Sequence, residues 1–276
     1  MSYKNSIMII GAGGSLGRNL CDLLITHKYK VVAIDINENN LAYLYRMYNI
    51  PTYIEDVQSF DRLCKIIEYE KIDLVVNCAA LKHVNWCEDN IRSAININIL
   101  ANLELINYLK KQNKKFIYIS SDKAIYPKNI YALTKQFTDY IIKIYDFKFV
   151  RGVNFLNSQG SVLDIWHQQK IYDRPFTLVD NEKCRRYFMT ISHMSKVVKN
   201  AIEDDSSKIE YIPDIIYDIG INDLFDAYLR LNKIKEYKIN KIVLPKTEKL
   251  IEDLNFDPNI IKLNDINEII NLINKR

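Results

Sequence analysis

The sequence is poor in the features that mark a secreted, membrane-spanning or disulfide-stabilised protein. No stretch approaches the roughly 18 consecutive apolar residues of a transmembrane helix, and the segment up to Ile10 lacks the charged start and long apolar run of a secretory signal. Only five cysteines are present, and they have neither metal-ligand spacing nor the pattern of a disulfide framework. We therefore expect reduced thiols, no metal site, no membrane contact and a cytoplasmic location.

An excess of charge of one sign is also missing. Lysine and arginine together number 38, aspartate and glutamate 34, and the formal net charge is +4. No basic run with interleaved aromatic side chains marks a nucleic-acid-binding face, so we expect no nucleic-acid partner. The weak positive balance is compatible with a phosphorylated small substrate but does not require one. Glycine is scarce, with seven in 276 residues, and no internal repeat or flexible linker divides the chain.

The first half of the chain alternates short apolar runs with longer amphipathic stretches. Strands separated by helical patterns indicate βαβ crossovers and a parallel sheet covered on both faces. The predicted fold class is therefore α/β, a Rossmann-type doubly wound parallel sheet. The predicted strands are Ser6–Ile10, Lys30–Ile36, Leu74–Cys78, Phe116–Ser120 and Phe147–Val150, and helical patterns include Leu16–Leu24, Leu41–Tyr48, Leu63–Glu68, Ile95–Leu109, Val162–Ile171, Ile191–Glu203 and Asn222–Leu231.

A glycine-rich loop follows the first predicted strand and opens the first helix. Its Gly11, Gly14 and Gly17 form a G-x-x-G-x-x-G pattern. In such a loop the first glycine permits a tight turn, the second lets a pyrophosphate approach the backbone, and the third lets helix and strand pack closely. Because N–H groups at a helix start bind phosphates, we expect a dinucleotide here, held by Gly11, Gly14, Ser15, Leu16 and Gly17.

Acidic residues at the ends of the next two strands fit the same cofactor. Asp35 comes about 20 residues after the glycines, where a carboxylate accepts hydrogen bonds from an adenosine ribose and repels a 2′-phosphate; a simple turn residue is the alternative. Asp56 and Val57, at the end of the third strand, are expected beside the adenine. The sequence thus predicts an NAD(P)-binding domain over residues 1–150, and a smaller substrate-binding region over 151–276, partly interleaved with it.

A second motif follows the predicted strand Phe116–Ser120. The run Ser120-Ser121-Asp122-Lys123 lies at its carboxyl end, where open α/β sheets bind ligands. Tyr131 and Lys135 follow with i, i+4 spacing, which places them on one face of a helix. A lysine ammonium beside a phenol lowers its pKa, so Tyr131 is predicted to act as the base that removes a hydroxyl proton during hydride transfer. A solvated pair of loop charges is the alternative for Asp122-Lys123.

These motifs resemble the extended short-chain dehydrogenases/reductases, and specifically the inverting UDP-N-acetylglucosamine 4,6-dehydratases of CapD-like polysaccharide biosynthesis. The resemblance runs over most of the chain. The matching segments are Ala79 to Val84 with Glu88 and Asn98, Ser120 to Ala124, Tyr131 to Lys135, Val150-Arg151, Asn154, Ser158 to Val162, Arg186 to Thr190, Pro245 and Glu248 to Leu250.

The resemblance implies internal hydride transfer from C4 to C6 of UDP-N-acetylglucosamine through tightly bound NAD(P), giving a UDP-2-acetamido-2,6-dideoxy-4-keto-L-hexose. In that family's terms Tyr131 deprotonates the 4-hydroxyl, Lys123 removes the C5 proton and Asp122 protonates the departing 6-hydroxyl. The resemblance also implies a homo-oligomer, a dimer or a hexamer. The implied further cofactor contacts are Ala79, Ala80, Lys82, Tyr131 and Lys135, and the implied substrate contacts are Lys82, His83, Ser121, Asn154, Ser161 and, near the UDP phosphates, Arg186.

Some alternatives remain open at this point. Retaining dTDP-glucose 4,6-dehydratases carry Asp-Glu where this chain has Asp122-Lys123, and nucleotide-sugar 4-epimerases lack the pair; both are alternative functions, as is a catalytically inactive cofactor-binding protein. Gln159 stands where the family has an arginine, which removes a phosphate contact. Asp35 stands where NADP-preferring members commonly have serine, so the sequence favours NAD although the family norm is NADP. His83 contacts substrate or only supports its neighbours.

Overall fold

The computed structural model describes residues 4–252, 254 and 258–275. In this part of the chain the strands are β1 (Ser6–Ile10), β2 (Lys30–Asp35), β3 (Thr52–Ile54), β4 (Leu74–Asn77), β5 (Lys115–Ser121), β6 (Lys148–Gly152), β7 (Asn154–Phe155), β8 (Phe176–Val179), β9 (Arg185–Met189), β10 (Glu210–Tyr211), β11 (Ile215–Gly220), β12 (Ile239–Ile242) and β13 (Asn259–Leu263).

The helices alternate with these strands. They are α1 (Ser15–Thr26), α2 (Glu38–Tyr48), α3 (Phe60–Tyr69), α4 (Val84–Asp89), α5 (Ile91–Ile95), α6 (Ala101–Lys111), α7 (Ile130–Ile144), α8 (Val162–Ile171), α9 (Ile191–Glu203), α10 (Ile221–Leu231) and α11 (Ile266–Asn274). A π-helical turn at Asn96–Leu100 separates α5 from α6, and a 3₁₀ turn at Asp122–Ala124 follows β5. None of the helices described is long and apolar enough to cross a membrane.

The main sheet has seven strands in the order β10-β6-β5-β4-β1-β2-β3. Parallel pairing joins β1 to β2 and β4, β2 to β3, β4 to β5, and β6 to β10. The strand order reverses between β1 and β4, and the crevice at the carboxyl ends of two such strands is where open α/β sheets bind ligands. The predicted doubly wound α/β fold is confirmed.

The core of this sheet follows from the composition of its strands. Parallel strands are covered by helices on both faces and therefore consist of nearly continuous apolar runs. All five residues of β1 are buried, and α3 packs Leu63, Ile66 and Ile67 against the same core. The apolar spacing that predicts these helices is thus the spacing of the face that each helix buries.

The described chain forms two compact units. One contains the residues up to Arg151 together with Met194–Ile212, and the other contains Gly152–His193 and the residues from Pro213 onward. Most of α9 belongs to the first unit, because the strand that follows it, β10, pairs with β6 of the main sheet. The second unit has a sheet of order β13-β11-β9-β7 and a β12-β8 pair. The assignment of cofactor and substrate to residues 1–150 and 151–276 stays a prediction.

Candidate active site

The glycine loop is a tight turn pressed against neighbouring backbone. Gly11 has φ +78°, in the left-handed region that favours glycine. A Cβ on Gly17 would lie 2.2 Å from the carbonyl oxygen of Gly11, so only glycine lets α1 start this close to the turn. The Gly11 and Ala12 N–H groups donate to the carbonyl oxygen of Ile34, at 2.9 and 3.0 Å. The loop is therefore anchored to β2 at the carboxyl edge of the main sheet.

The start of α1 has the properties of an anion-binding helix terminus. The helix begins directly after Gly14, and in the described residues no side chain caps it and no acidic residue occupies its first turn. N–H groups at a helix start lack intrahelical partners and carry the positive end of the helix dipole. A pyrophosphate at this position would accept hydrogen bonds from these N–H groups and would be attracted by the positive end of the dipole. The residues present therefore fit a dinucleotide.

Asp35 lies against the glycine loop. Its Oδ2 accepts a hydrogen bond of 2.8 Å from the N–H of Gly13, and its Oδ1 accepts one of 2.9 Å from the N–H of Asn37. Arg18 reaches the same region, where its Nη2 donates to Asn40 Oδ1 at 2.9 Å. Sequence reasoning assigned no role to Gly13, whose N–H holds the carboxylate next to the predicted ribose position.

The two residues predicted beside the adenine have different environments. Asp56 Oδ1 accepts a hydrogen bond of 2.8 Å from the N–H of Gln58, which forms a local turn after β3. Val57 is buried in the core of the main sheet. An adenine contact by either residue stays a prediction.

The predicted catalytic pair is a partly buried ion pair at the end of β5. Lys123 Nζ lies 3.4 Å from Asp122 Oδ1, and the side chains are 26% and 1% exposed. Ser121 Oγ donates to Asp122 Oδ1 at 2.8 Å and accepts a hydrogen bond of 3.3 Å from the N–H of Lys123. The Asp122 carboxylate is thus shielded from solvent and in contact with a hydroxyl and an ammonium, unlike a solvated pair of loop charges.

Tyr131 joins this cluster from the first turn of α7. The turn is fixed by Asn129, whose Oδ1 accepts from the N–H of Ala132 at 2.8 Å, and by Glu88, whose Oε1 accepts from the N–H of Ile130 at 2.8 Å. Burial raises the pKa of Tyr131, while the Lys123 ammonium and a hydrogen bond with Ser121 oppose the rise.

Lys135 binds the backbone of β5 through its ammonium group. Its Nζ donates to the carbonyl oxygen of Ile119 at 2.8 Å and lies 4.4 Å from the ring centroid of Tyr118. Burial lowers the pKa of Lys135 to about 8. A lowering of the Tyr131 pKa by Lys135 stays a prediction. The i, i+4 spacing puts both residues on one face of α7, but the ammonium turns to the backbone of β5, and Lys123 is the cation that favours the phenolate.

Asn98 fixes the loop that carries Lys82 and His83. Its Oδ1 accepts from the N–H of Leu81, and its Nδ2 donates to the carbonyl oxygen of Leu81, both at 2.9 Å. The Nδ2 also donates to Thr134 Oγ1 on α7 at 3.0 Å. Asn98 lies in the π-helical turn, a feature frequent at functional sites. In the sequence, Asn98 stands out only as part of the segments that resemble the family.

The remaining residues of this loop, which follows β4, differ in their exposure. Lys82 and His83 are exposed. Burial, with a contribution from the Lys82 charge, lowers the pKa of His83, so the imidazole is neutral at pH 7. Ala79 packs beside the glycine loop, because a Cβ on Gly11 would lie 2.7 Å from the backbone nitrogen of Ala79. Ala80 follows it at the same edge of the sheet.

The substrate residues predicted after residue 151 lie in the second unit and have protein partners there. Arg186 Nη2 lies 3.3 Å from Glu248 Oε2, and Arg186 Nε lies 3.7 Å from Glu252 Oε1. Asn154 Nδ2 lies 3.2 Å from Glu252 Oε2, and Ser161 caps α8 with its hydroxyl. A phosphate at Arg186 would have to compete with two carboxylates, so the substrate roles of these residues stay predictions.

Comparisons with known proteins show that this chain is similar to polysaccharide biosynthesis proteins and to a nucleotide-sugar dehydratase. Residues 7–274 match the family described as "Polysaccharide biosynthesis protein". An uncharacterized membrane protein of Methanocaldococcus jannaschii is 30% identical over 97% of this chain and 85% of its own length. The capsular polysaccharide biosynthesis protein CapD of Staphylococcus aureus is 30% identical over 91% of this chain and 45% of its own length. The UDP-N-acetylglucosamine 4,6-dehydratase (inverting) of Campylobacter jejuni is 26% identical over 78% of this chain and 68% of its own length.

Solved structures with the same architecture include Pen from Bacillus thuringiensis, with 26% identity, a TM-score of 0.83, and coverage of 90% of this chain and 81% of that chain. DesIV from Streptomyces venezuelae, a dTDP-glucose 4,6-dehydratase solved with NAD, has a TM-score of 0.84 at 14% identity, covering 97% of this chain and 95% of that chain. The similarity to DesIV, at 14% identity, shows only that the two proteins share a fold. The chain spans less than half the length of CapD.

Proposed function

The chain belongs to the polysaccharide biosynthesis protein family, and on that premise we propose that it is a nucleotide-sugar 4,6-dehydratase that acts on UDP-N-acetylglucosamine and inverts C5. The CapD-like resemblance predicted from the sequence is confirmed. The proposed substrate and inversion are supported by the similarity to the C. jejuni inverting enzyme. The observation that carries the proposal is the contact between Lys123 and the buried Asp122 carboxylate, in the same cluster as Tyr131.

We assign a tightly bound NAD(P) to the glycine loop. Gly11, Gly14 and Gly17, with the start of α1, would hold the pyrophosphate, and Asp35 would accept hydrogen bonds from the adenosine ribose. Bound there, the cofactor supplies the reversible hydride storage that an internal transfer from C4 to C6 requires. The Asp35 carboxylate lies 2.8 Å from the Gly13 N–H, and its charge favours NAD over NADP by repulsion of a 2′-phosphate.

The geometry of Asp122 and Lys123 suits elimination of water. Transfer of one proton from the Lys123 ammonium to Asp122, 3.4 Å away, creates a neutral amine base and a carboxylic acid together. The amine then accepts the C5 proton, the acid protonates the departing 6-hydroxyl, and water leaves. The pair returns to its starting charges, so no further acid or base is consumed. Burial lowers the cost of the neutral pair relative to the ion pair.

Tyr131 is the proposed base for the 4-hydroxyl. Burial raises the pKa of Tyr131, so the phenol is protonated at neutral pH unless other groups favour the phenolate. Lys123 and Ser121 both do so. In its phenolate form, which the Lys123 ammonium favours, Tyr131 would accept the hydroxyl proton while the C4 hydrogen leaves as hydride to the bound cofactor.

The nearest alternative is a nucleotide-sugar 4-epimerase. Epimerisation at C4 needs a base for the 4-hydroxyl and a hydride acceptor, and it has no step that removes a C5 proton or expels a hydroxyl. The buried contact between Asp122 and Lys123 has no task in that reaction. A pair kept out of water at the carboxyl end of β5 therefore favours the dehydratase.

Mass spectrometry of the reaction products tests the proposal. The purified protein is incubated with UDP-N-acetylglucosamine, and with UDP-glucose as the matched substrate that lacks the acetamido group. We expect a product that has lost one water from the first substrate and far slower turnover of the second, because a site built to hydrogen-bond a substrate group rejects analogues without it. An isomer of unchanged mass would instead identify an epimerase.

We further propose that the enzyme is a cytoplasmic homodimer. Along α7 the side chains of Leu133, Phe137, Tyr140 and Ile144 are exposed at the spacing of a single helix face. Ile95, near the end of the adjacent α5, is exposed as well. A continuous apolar face of this kind usually marks an interaction surface, and a second copy of the chain would bury it against the same face.

A further inference from the structure

A buried ion pair that contacts the end of β5 has no part in the chemistry proposed above. Arg151 on β6 and Asp139 on α7 have side chains only 5% and 7% exposed, and Arg151 Nη1 lies 3.0 Å from Asp139 Oδ2. Arg151 Nε also lies 2.7 Å from Glu210 Oε1 on β10. Burying such charges is costly, and a pair of well-packed apolar residues is often as stable. The contacts of this pair with the catalytic segment indicate another reason for its presence.

Both partners hold the end of the strand that carries the catalytic residues. Arg151 Nη1 donates to the carbonyl oxygen of Ser121 at 2.8 Å. Asp139 Oδ2 accepts a hydrogen bond of 2.9 Å from Ser120 Oγ. Asp122 follows Ser121 in the chain, and its carboxylate accepts a hydrogen bond from Ser121 Oγ. The ion pair therefore fixes the backbone from which the acid and the base of the proposed elimination extend.

Asp139 also acts on Lys135, which lies one helical turn earlier on α7. Burial lowers the pKa of Lys135 to about 8, and the Asp139 carboxylate opposes this by favouring the ammonium. The other groups that face the ammonium are the thiols of Cys78 and Cys87, the carbonyl of β5 that accepts its proton, and the ring of Tyr118. Burial raises the pKa of these thiols to about 12 and about 11, so both are neutral at pH 7.

The charge on Asp139 itself depends on its partners. Burial raises the pKa of Asp139 to about 6, against the opposing influence of Arg151, Ser120 and Lys135. At pH 7 the carboxylate is therefore ionised, and its negative charge faces two buried cations. Loss of Arg151 would leave that carboxylate without its closest counter-charge and would favour its protonation.

We propose that Asp139 and Arg151 are a positioning pair for the catalytic site. Arg151 fixes the Ser121 carbonyl, Asp139 fixes the Ser120 hydroxyl, and the Asp139 carboxylate is the counter-charge of Lys135, one helical turn away on α7. The inference rests on the proposed function where it assigns Ser121 and the Asp122-Lys123 pair a part in the reaction. The electrostatic coupling between Asp139 and Lys135 does not depend on the substrate and is measurable without it.

The coupling is tested by ¹³C NMR of the full chain labelled at the lysine Cε carbons. The Lys135 resonance is identified by its loss in Lys135→Met, and its midpoint near 8 separates it from ordinary lysines. Asp139→Asn should lower that midpoint by about one unit or more, and Asp139→Glu should restore it. Asp146→Asn is the matched control, because that carboxylate is 79% exposed and lies 4.0 Å from Lys110; it should leave the midpoint unchanged.

A double substitution separates positioning from mere stability. Asp139→Asn alone leaves Arg151 partly uncompensated and should lower Tm, whereas Asp139→Asn with Arg151→Met removes both buried charges and should recover Tm. Glu210, the other carboxylate that contacts Arg151, is only partly buried, so it remains hydrated when Arg151 is replaced. We expect the double variant to keep the lowered Lys135 midpoint. Because Arg151 no longer holds the Ser121 carbonyl, its kcat on UDP-N-acetylglucosamine should fall roughly ten- to hundredfold at an unchanged KM.

Each outcome decides one of the claims. An unchanged Lys135 midpoint in the folded single or double variant would overturn the coupling even if turnover is normal. Recovery of both Tm and the wild-type kcat by the double variant would show that the pair is only structural. A lowered midpoint in a protein that does not dehydrate UDP-N-acetylglucosamine would refute the proposed function and leave the electrostatic coupling supported.

Discussion

Substituting the glycines of the loop one at a time separates folding from cofactor binding. A Cβ on Gly17 would lie 2.2 Å from the Gly11 carbonyl oxygen and 2.7 Å from Ala12 Cα, and real Cβ contacts stay above 3.0 Å. The turn would therefore have to move by at least 0.8 Å, the difference between 3.0 and 2.2 Å. Overpacking against backbone costs about 1–3 kcal/mol, so Gly17→Ala should lower the free energy of unfolding of the cofactor-free protein by that amount.

Gly14→Ala is the matched variant. Gly14 has φ −69° and ψ 167°, which any residue adopts, and a Cβ there would lie 3.3 Å from the Gly11 carbonyl oxygen. The free energy of unfolding should change by only about 0.5 kcal/mol. The methyl group would nevertheless occupy the space predicted for the pyrophosphate, so the affinity for the dinucleotide should fall roughly ten- to hundredfold, equivalent to about 1–3 kcal/mol.

Denaturant unfolding of the cofactor-free variants and calorimetric titration with NAD and NADP provide the two readouts. The wild type should bind NAD more tightly than NADP because of the charge of Asp35. Wild-type affinity for NAD in Gly14→Ala would refute the placement of the pyrophosphate. Wild-type stability of Gly17→Ala would show that the turn relaxes at no cost, and tighter binding of NADP would refute the role of Asp35.

Three other predictions concern the chemistry, the assembly and the stability. Lys123→Ala should slow water loss from UDP-N-acetylglucosamine by ~10²–10⁴ with NAD affinity unchanged by calorimetry; full activity would exclude Lys123 as the base. Phe137→Glu should convert the dimer to a monomer in analytical ultracentrifugation, and a wild type that is already monomeric would refute the proposed interface. Burial raises the pKa of Glu70, but hydrogen bonds led by the one from Lys30 outweigh it and hold that pKa below its ordinary value. The ionised carboxylate therefore stabilises the fold above its unfolded-state pKa, and this stabilisation is lost as the pH falls through the lower folded-state pKa. Denaturant unfolding at several pH values should show a deficit in Glu70→Gln that is largest at neutral pH and disappears in acid; a deficit independent of pH would contradict this.

The parts of the fold that depend on local patterns were predictable from the sequence. The strand Ser6–Ile10 and the helices Val162–Ile171 and Ile191–Glu203 have the predicted bounds. The strand is an uninterrupted buried run, and the helix Ile191–Glu203 buries one largely apolar face. The predicted helix Ile95–Leu109 is instead divided by the π-helical turn at Asn96–Leu100. Apolar spacing does not reveal that turn, which contains the buried Asn98 and its hydrogen bonds to the distant Leu81 and Thr134.

Long-range pairing and side-chain direction account for the other differences. The return of Met194–Ile212 to the first unit follows from the pairing of the two-residue strand β10 with β6, which is too short to give a sequence signal. The i, i+4 spacing correctly places Tyr131 and Lys135 on one face of α7. It does not show that the Lys135 ammonium binds the Ile119 carbonyl, because that direction depends on the position of β5.

The central claim, dehydration with inversion by Lys123, is tested most directly by running the reaction on UDP-N-acetylglucosamine in D₂O and following the product by NMR. A lysine that removes the C5 proton exchanges it with solvent, so we predict deuterium at C5. The proton couplings of the ring should show an L-configured 4-keto-6-deoxy sugar. A product that keeps the D configuration at C5, or a substrate recovered unchanged, would contradict the account.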